Sequence, residues 1–142
     1  MKVIKSISWF LGIAIFMFGI LKIVSPTING WYAVQMTNSG LGEYIPMWIG
    51  ITSEIVVGLV LIVSLVIDKN LKTKIFNIII QVASAVIIPM MLTAIYVHLQ
   101  PNVPADVLPL KIKTPYIPFS FMLLAMTNIY LIQRQIKDKA TG

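Results

Sequence analysis

Lys22, Glu54 and His98 are the side chains of this sequence whose types and placing could do chemistry. Glu54 poses the sharpest question, because it is the one carboxylate in ITSEIVVGLVLIV, residues 51–63. In the middle of a bilayer an unpaired ionised side chain costs about 2.5 kcal/mol or more. Two states answer that cost: a protonated, neutral acid, or a carboxylate held against a cation. Paired charges in apolar walls can polarise a polar head group or pass a proton. Metal chemistry is not expected, since one histidine, no cysteine and one deep carboxylate make a poor ligand set. Nucleophilic catalysis has no local signature either.

Spacing indicates where the Glu54 charge goes. Gly50, Glu54 and Gly58 are four residues apart and share one helical face. Small residues mark the faces where membrane helices approach closely, so Glu54 is expected to face protein. The preceding apolar run has a comparable face with Ser8, Gly12, Gly19 and Lys22. Counting about 1.5 Å per residue puts Glu54 roughly 12–14 Å below the outer boundary and Lys22 about 3–5 Å below it. Helical side chains lean toward the N-terminus of their own helix. Antiparallel neighbours therefore aim these two long side chains at each other, and His98 leans the same way as Glu54. The expected locus is a Lys22–Glu54 pair capped by His98, with Gly12, Gly19, Gly50 and Gly58 as packing residues. Plainer roles stay open: Lys22 reaching back to the headgroups, and His98 as an interfacial residue closing its helix.

The elements that must position this locus are four apolar runs, at about 4–24, 45–67, 75–99 and 116–132. Each is close to the roughly 20 residues needed to cross a hydrocarbon core. Only 11% of the 142 residues are charged, 58% are hydrophobic, and mean hydropathy is +0.89. A soluble domain carries about 25% charged residues, so the composition excludes one. The fold class expected is all-α, a single four-helix transmembrane domain over residues 1–142. Lys2 and Lys5 precede a first run too long for a signal-peptide core, and it is read as a retained span. Thiol redox chemistry needs cysteine, and there is none.

Two longer connections fall at one end of the bundle. Ser25-Pro26 suits a helix start, Gly40 a stop, and Ile28, Trp31, Tyr32, Gln35 and Met36 recur at helical spacing between them. This predicts a short amphipathic helix in the interface, with Trp31 and Tyr32 at headgroup level. Pro101, Pro104, Pro109 and Pro115 predict a stiff, extended second connection. Pro89 is expected to kink the third span. Gln81, Thr127 and Asn128 are expected to bond helix to helix in the other half.

Phe18, Gly19 and Lys22 in the first span, Gly50, Glu54 and Gly58 in the second and His98 closing the third resemble the DoxX-like family of small four-span membrane proteins. The likeness covers nearly the whole chain. It implies a bundle of this design with a Lys–Glu–His locus. Through the family's association with quinone-linked redox systems, it also implies a non-catalytic accessory subunit that binds a quinone or a lipid-like molecule. The implied partners are redox-complex subunits or other membrane proteins, and a homo-oligomer fits as well. A second reading, suggested by distant relatives that look like assembly chaperones, is a membrane scaffold whose polar triad only locks helices together. A transporter ranks third, because no broken helix or internal repeat is evident.

The formal charge of +6 reports topology rather than nucleic-acid binding. Lys2, Lys5, Lys69, Lys72, Lys74, Arg134, Lys137 and Lys139 fall at one end of a four-span bundle, and only Lys22, Lys111 and Lys113 at the other. The positive-inside rule then places both termini in the cytoplasm, with the chain in the plasma (inner) membrane. Single cysteines at Thr37 and Lys72 check this. In intact cells an impermeant thiol reagent should label the first and not the second; the reverse pattern would invert the assignment.

Overall fold

The computed structural model describes residues 1–141, with side chains to Asp138; the Lys139 side chain, counted above with the basic end, lies outside the described residues. Five α-helices follow one another: α1 Lys2–Val24, α2 Pro26–Asn38, α3 Met47–Val66, α4 Thr73–Leu99 and α5 Tyr116–Thr141. Single 3₁₀ turns lie at Leu41–Glu43, Asp68–Asn70, Ala105–Val107 and Pro109–Lys111. The described residues are all-helical, and α1, α3, α4 and α5 are long and apolar enough to cross a membrane. They form a four-helix bundle. Its two ends are called here the basic end, with the Asp68–Asn70 turn, and the loop end, with α2 and the proline-rich connection.

Element ends differ from the apolar runs for local reasons. Pro46 is extended, at φ −59° and ψ 138°, so α3 starts at Met47 rather than at Ile45. The last helix runs to Thr141, well past Ile132, because helical hydrogen bonding continues after the sequence turns polar. The proline-rich connection is not simply extended. It contains two 3₁₀ turns, and Leu110 and Lys111 adopt left-handed φ of 54° and 56°.

Packing is closest between α1 and α3 and between α4 and α5, with α3–α4 and α1–α5 contacts closing the ring. Glycine makes the first pairing this tight. A Cβ on Gly58 would lie 2.6 Å from the Phe16 backbone nitrogen, and one on Gly19 would lie 2.7 Å from Ile55 Cγ1. Gly12 meets Leu61 in the same seam. The core of the basic half is filled by Leu11, Ile15, Leu61, Ile80, Ala125 and Ile132, none with exposed surface.

Polar groups in that half divide as follows. Asn128 Nδ2 donates to Ser8 Oγ at 2.9 Å, linking α5 to α1 in a fully buried bond. The expectation fails for the other two. Thr127 donates to the Leu123 carbonyl one turn back in its own helix, the bond always within reach of a helical threonine. Gln81 is half-buried and makes no hydrogen bond among the described residues. At the basic end Lys5 meets Asp68 at 2.6 Å, which fastens the start of α1 to the turn between α3 and α4.

Candidate functional site

The end of α1 and the start of α2 build the first side of the site. With α1 ending at Val24, the Lys22 carbonyl has no partner further along its own helix. Asn29 Nδ2 of α2 supplies one at 2.8 Å. Ser25 caps α2, its Oγ accepting from the Ile28 N–H at 3.3 Å, and Pro26 occupies the first helical position. Lys22 sits in the last turn of α1, where a cation also suits the helix dipole.

Lys22 Nζ reaches both oxygens of Glu54, at 2.6 and 2.7 Å. The side chains are 14% and 17% exposed, so a two-pronged ion pair is held largely out of solvent. It bridges different depths because the two helices run in opposite directions and each side chain leans toward its own N-terminus. Gly19 lets the backbones come close: a Cβ there would stand 3.1 Å from that of Glu54.

Tyr32 completes this side, with its ring turned into the bundle. The Lys22 ammonium lies 4.2 Å from its ring centroid, a cation–π contact. Its hydroxyl occupies the notch left by Gly50, where a Cβ would be 2.0 Å from the oxygen. Gly50 therefore seats α2 rather than packing span on span, unlike Gly12, Gly19 and Gly58. The face of α2 is also not simply amphipathic, for Asn29 and Gln35 turn inward with Ile28, Tyr32 and Met36.

His98 is 4% exposed but does not cap the pair. Its Nδ1 lies 3.2 Å from the Lys113 carbonyl. A carbonyl only accepts, so Nδ1 carries the proton, and Ile112 offers the ring a second backbone acceptor. Lys113, read from the sequence only as a loop charge, donates to the carbonyls of Gln100 and Val103 and so ties the connection to the end of α4. Val103 and Leu108, each 1% exposed, pack there against Val97.

Between these groups is a cavity of about 710 Å³ in the loop half of the bundle. Lys22, Glu54, Tyr32 and His98 all line it. Its walls are otherwise largely apolar, including Phe18, Met90, Met91, Ile117 and Phe121. Pro89 is part of the wall too, and Ser53 and Thr93 spend their hydroxyls on carbonyls of their own helices. Helix α2 and the proline-rich connection roof the cavity. Gln35 bonds the Val107 carbonyl, Asn38 the Asn102 carbonyl at 2.9 Å, and Tyr96 the Ser39 carbonyl at 3.4 Å. Such a chamber can take an apolar body and present polar groups to one polar head. No known family, characterised protein or solved structure matches this chain.

The Tyr32 phenol is pushed up to about 12, by burial first and then by the negative charge of Glu54. Folding thus favours the neutral phenol, and this contribution, complete below pH 10, is lost as pH rises toward 12. Spectrophotometric titration should show one tyrosine ionising near pH 12, absent in Tyr32→Phe and shifted down in Glu54→Gln. A difference between wild type and Tyr32→Phe already complete by about pH 11 would place the phenol in water.

Proposed function

We propose that this chain is an integral membrane protein that binds a quinone or another lipid-like amphiphile beside the Lys22–Glu54 pair. It serves as a non-catalytic accessory subunit of a membrane redox complex. The carrying observation is the cavity: about 710 Å³, mostly apolar, with a small group of polar side chains at one end. Ligand pockets are commonly about 300–1,000 Å³ and combine apolar walls with few orienting polar groups. Those groups here are an ammonium, a phenol and an imidazole, which suit carbonyl and hydroxyl oxygens. The DoxX-like resemblance supports the quinone and the redox partners. The charge distribution supports cytoplasmic termini in the plasma (inner) membrane, with the loop end outside.

A scaffold with a purely structural polar locus would have no use for space beside the Lys22–Glu54 pair, which weighs against that second reading. Filling the cavity without touching the pair separates the two. Ala94 lines the cavity, and Ala94→Phe should leave the bundle folded, with a native helical circular-dichroism spectrum. Mass spectrometry of gently extracted wild-type protein should find a small amphiphile near one per chain, reduced at least tenfold in Ala94→Phe. Identical sets of bound molecules in the two proteins would contradict ligand binding and leave the scaffold.

A further inference from the structure

Resting on that reading, we propose that the occupant is an uncharged lipid, and that it enters sideways from the bilayer through the gap between α3 and α4. Lys22 and Glu54 are the oppositely charged groups on the cavity wall, and they neutralise each other through two bonds. A phosphate or carboxylate head would have to draw Lys22 away and strand Glu54 inside the bundle. A cationic head would strand Lys22 in turn. An uncharged head with a carbonyl and a hydroxyl leaves the pair intact. Such a head can accept from the Tyr32 hydroxyl, which makes no hydrogen bond among the described residues.

Wall residues that are also exposed lie at two edges, Trp31, Pro109 and Leu110 in the roof and residues of α3 and α4 on the side. The route is the edge that no hydrogen bond among the described residues ties shut. On α3 the flank against α1 carries Ile55, Gly58 and Ile62. Ile49 and Ser53 lie on the other flank, toward α4, and Ile49 is 42% exposed although it lines the cavity. On α4, Val86 lines the cavity and is 39% exposed, and Pro89 and Thr93 are exposed as well. A residue that borders both the cavity and the outside stands at the edge of an opening. Ser53 and Thr93 are each six residues from the loop end of their helix, about 9 Å into the apolar layer. The edge therefore faces lipid chains rather than water. Toward water, the ties from Asn38 to Asn102 and from Tyr96 to Ser39 hold the roof down.

The test reconstitutes the full chain in phosphatidylcholine vesicles. It uses two photoactivatable probes with the same diazirine-bearing acyl chain, a diacylglycerol and a phosphatidic acid. Adducts on Met91, a cavity residue only 7% exposed, report entry. Brief exposure to the diacylglycerol should label Met91, and the phosphatidic acid should give less than a tenth of that yield. Thr93→Trp should cut the diacylglycerol yield at least tenfold. So should Val86→Trp, whose exposed position tolerates bulk if the first variant fails to fold. Asn38→Ala combined with Tyr96→Phe, which loosens the roof, should leave the yield unchanged. Equal labelling by the two probes would overturn the uncharged head. Undiminished labelling in both tryptophan variants, or a rise on loosening the roof, would overturn the lateral route. Silence from both probes overturns this proposal alone if wild type still carries an amphiphile that Ala94→Phe loses, and the binding reading with it if not.

Discussion

An ammonium and a carboxylate that neutralise each other inside an apolar bundle are the constraint to which the loop half of this molecule is built. Lys22 and Glu54 are held largely out of solvent, and taking two such ions out of water costs several kcal/mol each. The pair tolerates that cost only with good geometry, and the surrounding residues supply it. Gly19 brings α1 against α3 at the level of Glu54. Asn29 holds the Lys22 carbonyl, and Tyr32 lays its ring beside the ammonium while its hydroxyl fills the notch at Gly50. One ion pair thereby dictates a helix–helix distance, a helix-end cap and the seating of α2.

The two halves of the bundle solve different problems. In the basic half, branched side chains without exposed surface fill the space between helices, and one asparagine–serine bond crosses from α5 to α1. In the loop half the same four helices leave a chamber, bordered by the proline of α4 and by aromatic rings of α1 and α5. Phe18 and Phe121 stack with centroids 5.9 Å apart and form part of its wall. Close packing at one end and a chamber at the other suit the binding role proposed above.

Much of this was legible from residue spacing. Runs of about 20 apolar residues locate four spans, because a membrane tolerates little else. The glycines around Glu54 and the opposed lean of helical side chains bring Lys22 and Glu54 together on paper. What spacing does not reveal is register between elements distant in sequence. Tyr32 reads as a membrane anchor because aromatic residues gather at the interface. Only the seating of α2 on α3 puts its hydroxyl against Gly50. His98 reads as a partner for Glu54 by lean and depth, yet the carbonyl of Lys113, brought back by the second connection, lies closer to hand. Gln81 and Thr127 look like interhelical glue by type, but the first finds no partner among the described residues and the second bonds its own helix.

The central claim is that Lys22 and Glu54 stabilise the bundle as a coupled pair. A double-mutant cycle on unfolding in a defined lipid–detergent mixture tests it most directly, with Lys22→Met, Glu54→Gln and the two combined. Breaking one member of a buried pair typically costs about 3–5 kcal/mol, because the other charge is left uncompensated. Each single substitution should therefore lose a large part of the stability, and the combined one should recover most of it. Losses that simply add would mean that the two groups are energetically independent, and the pair would then not be what holds this half of the bundle together.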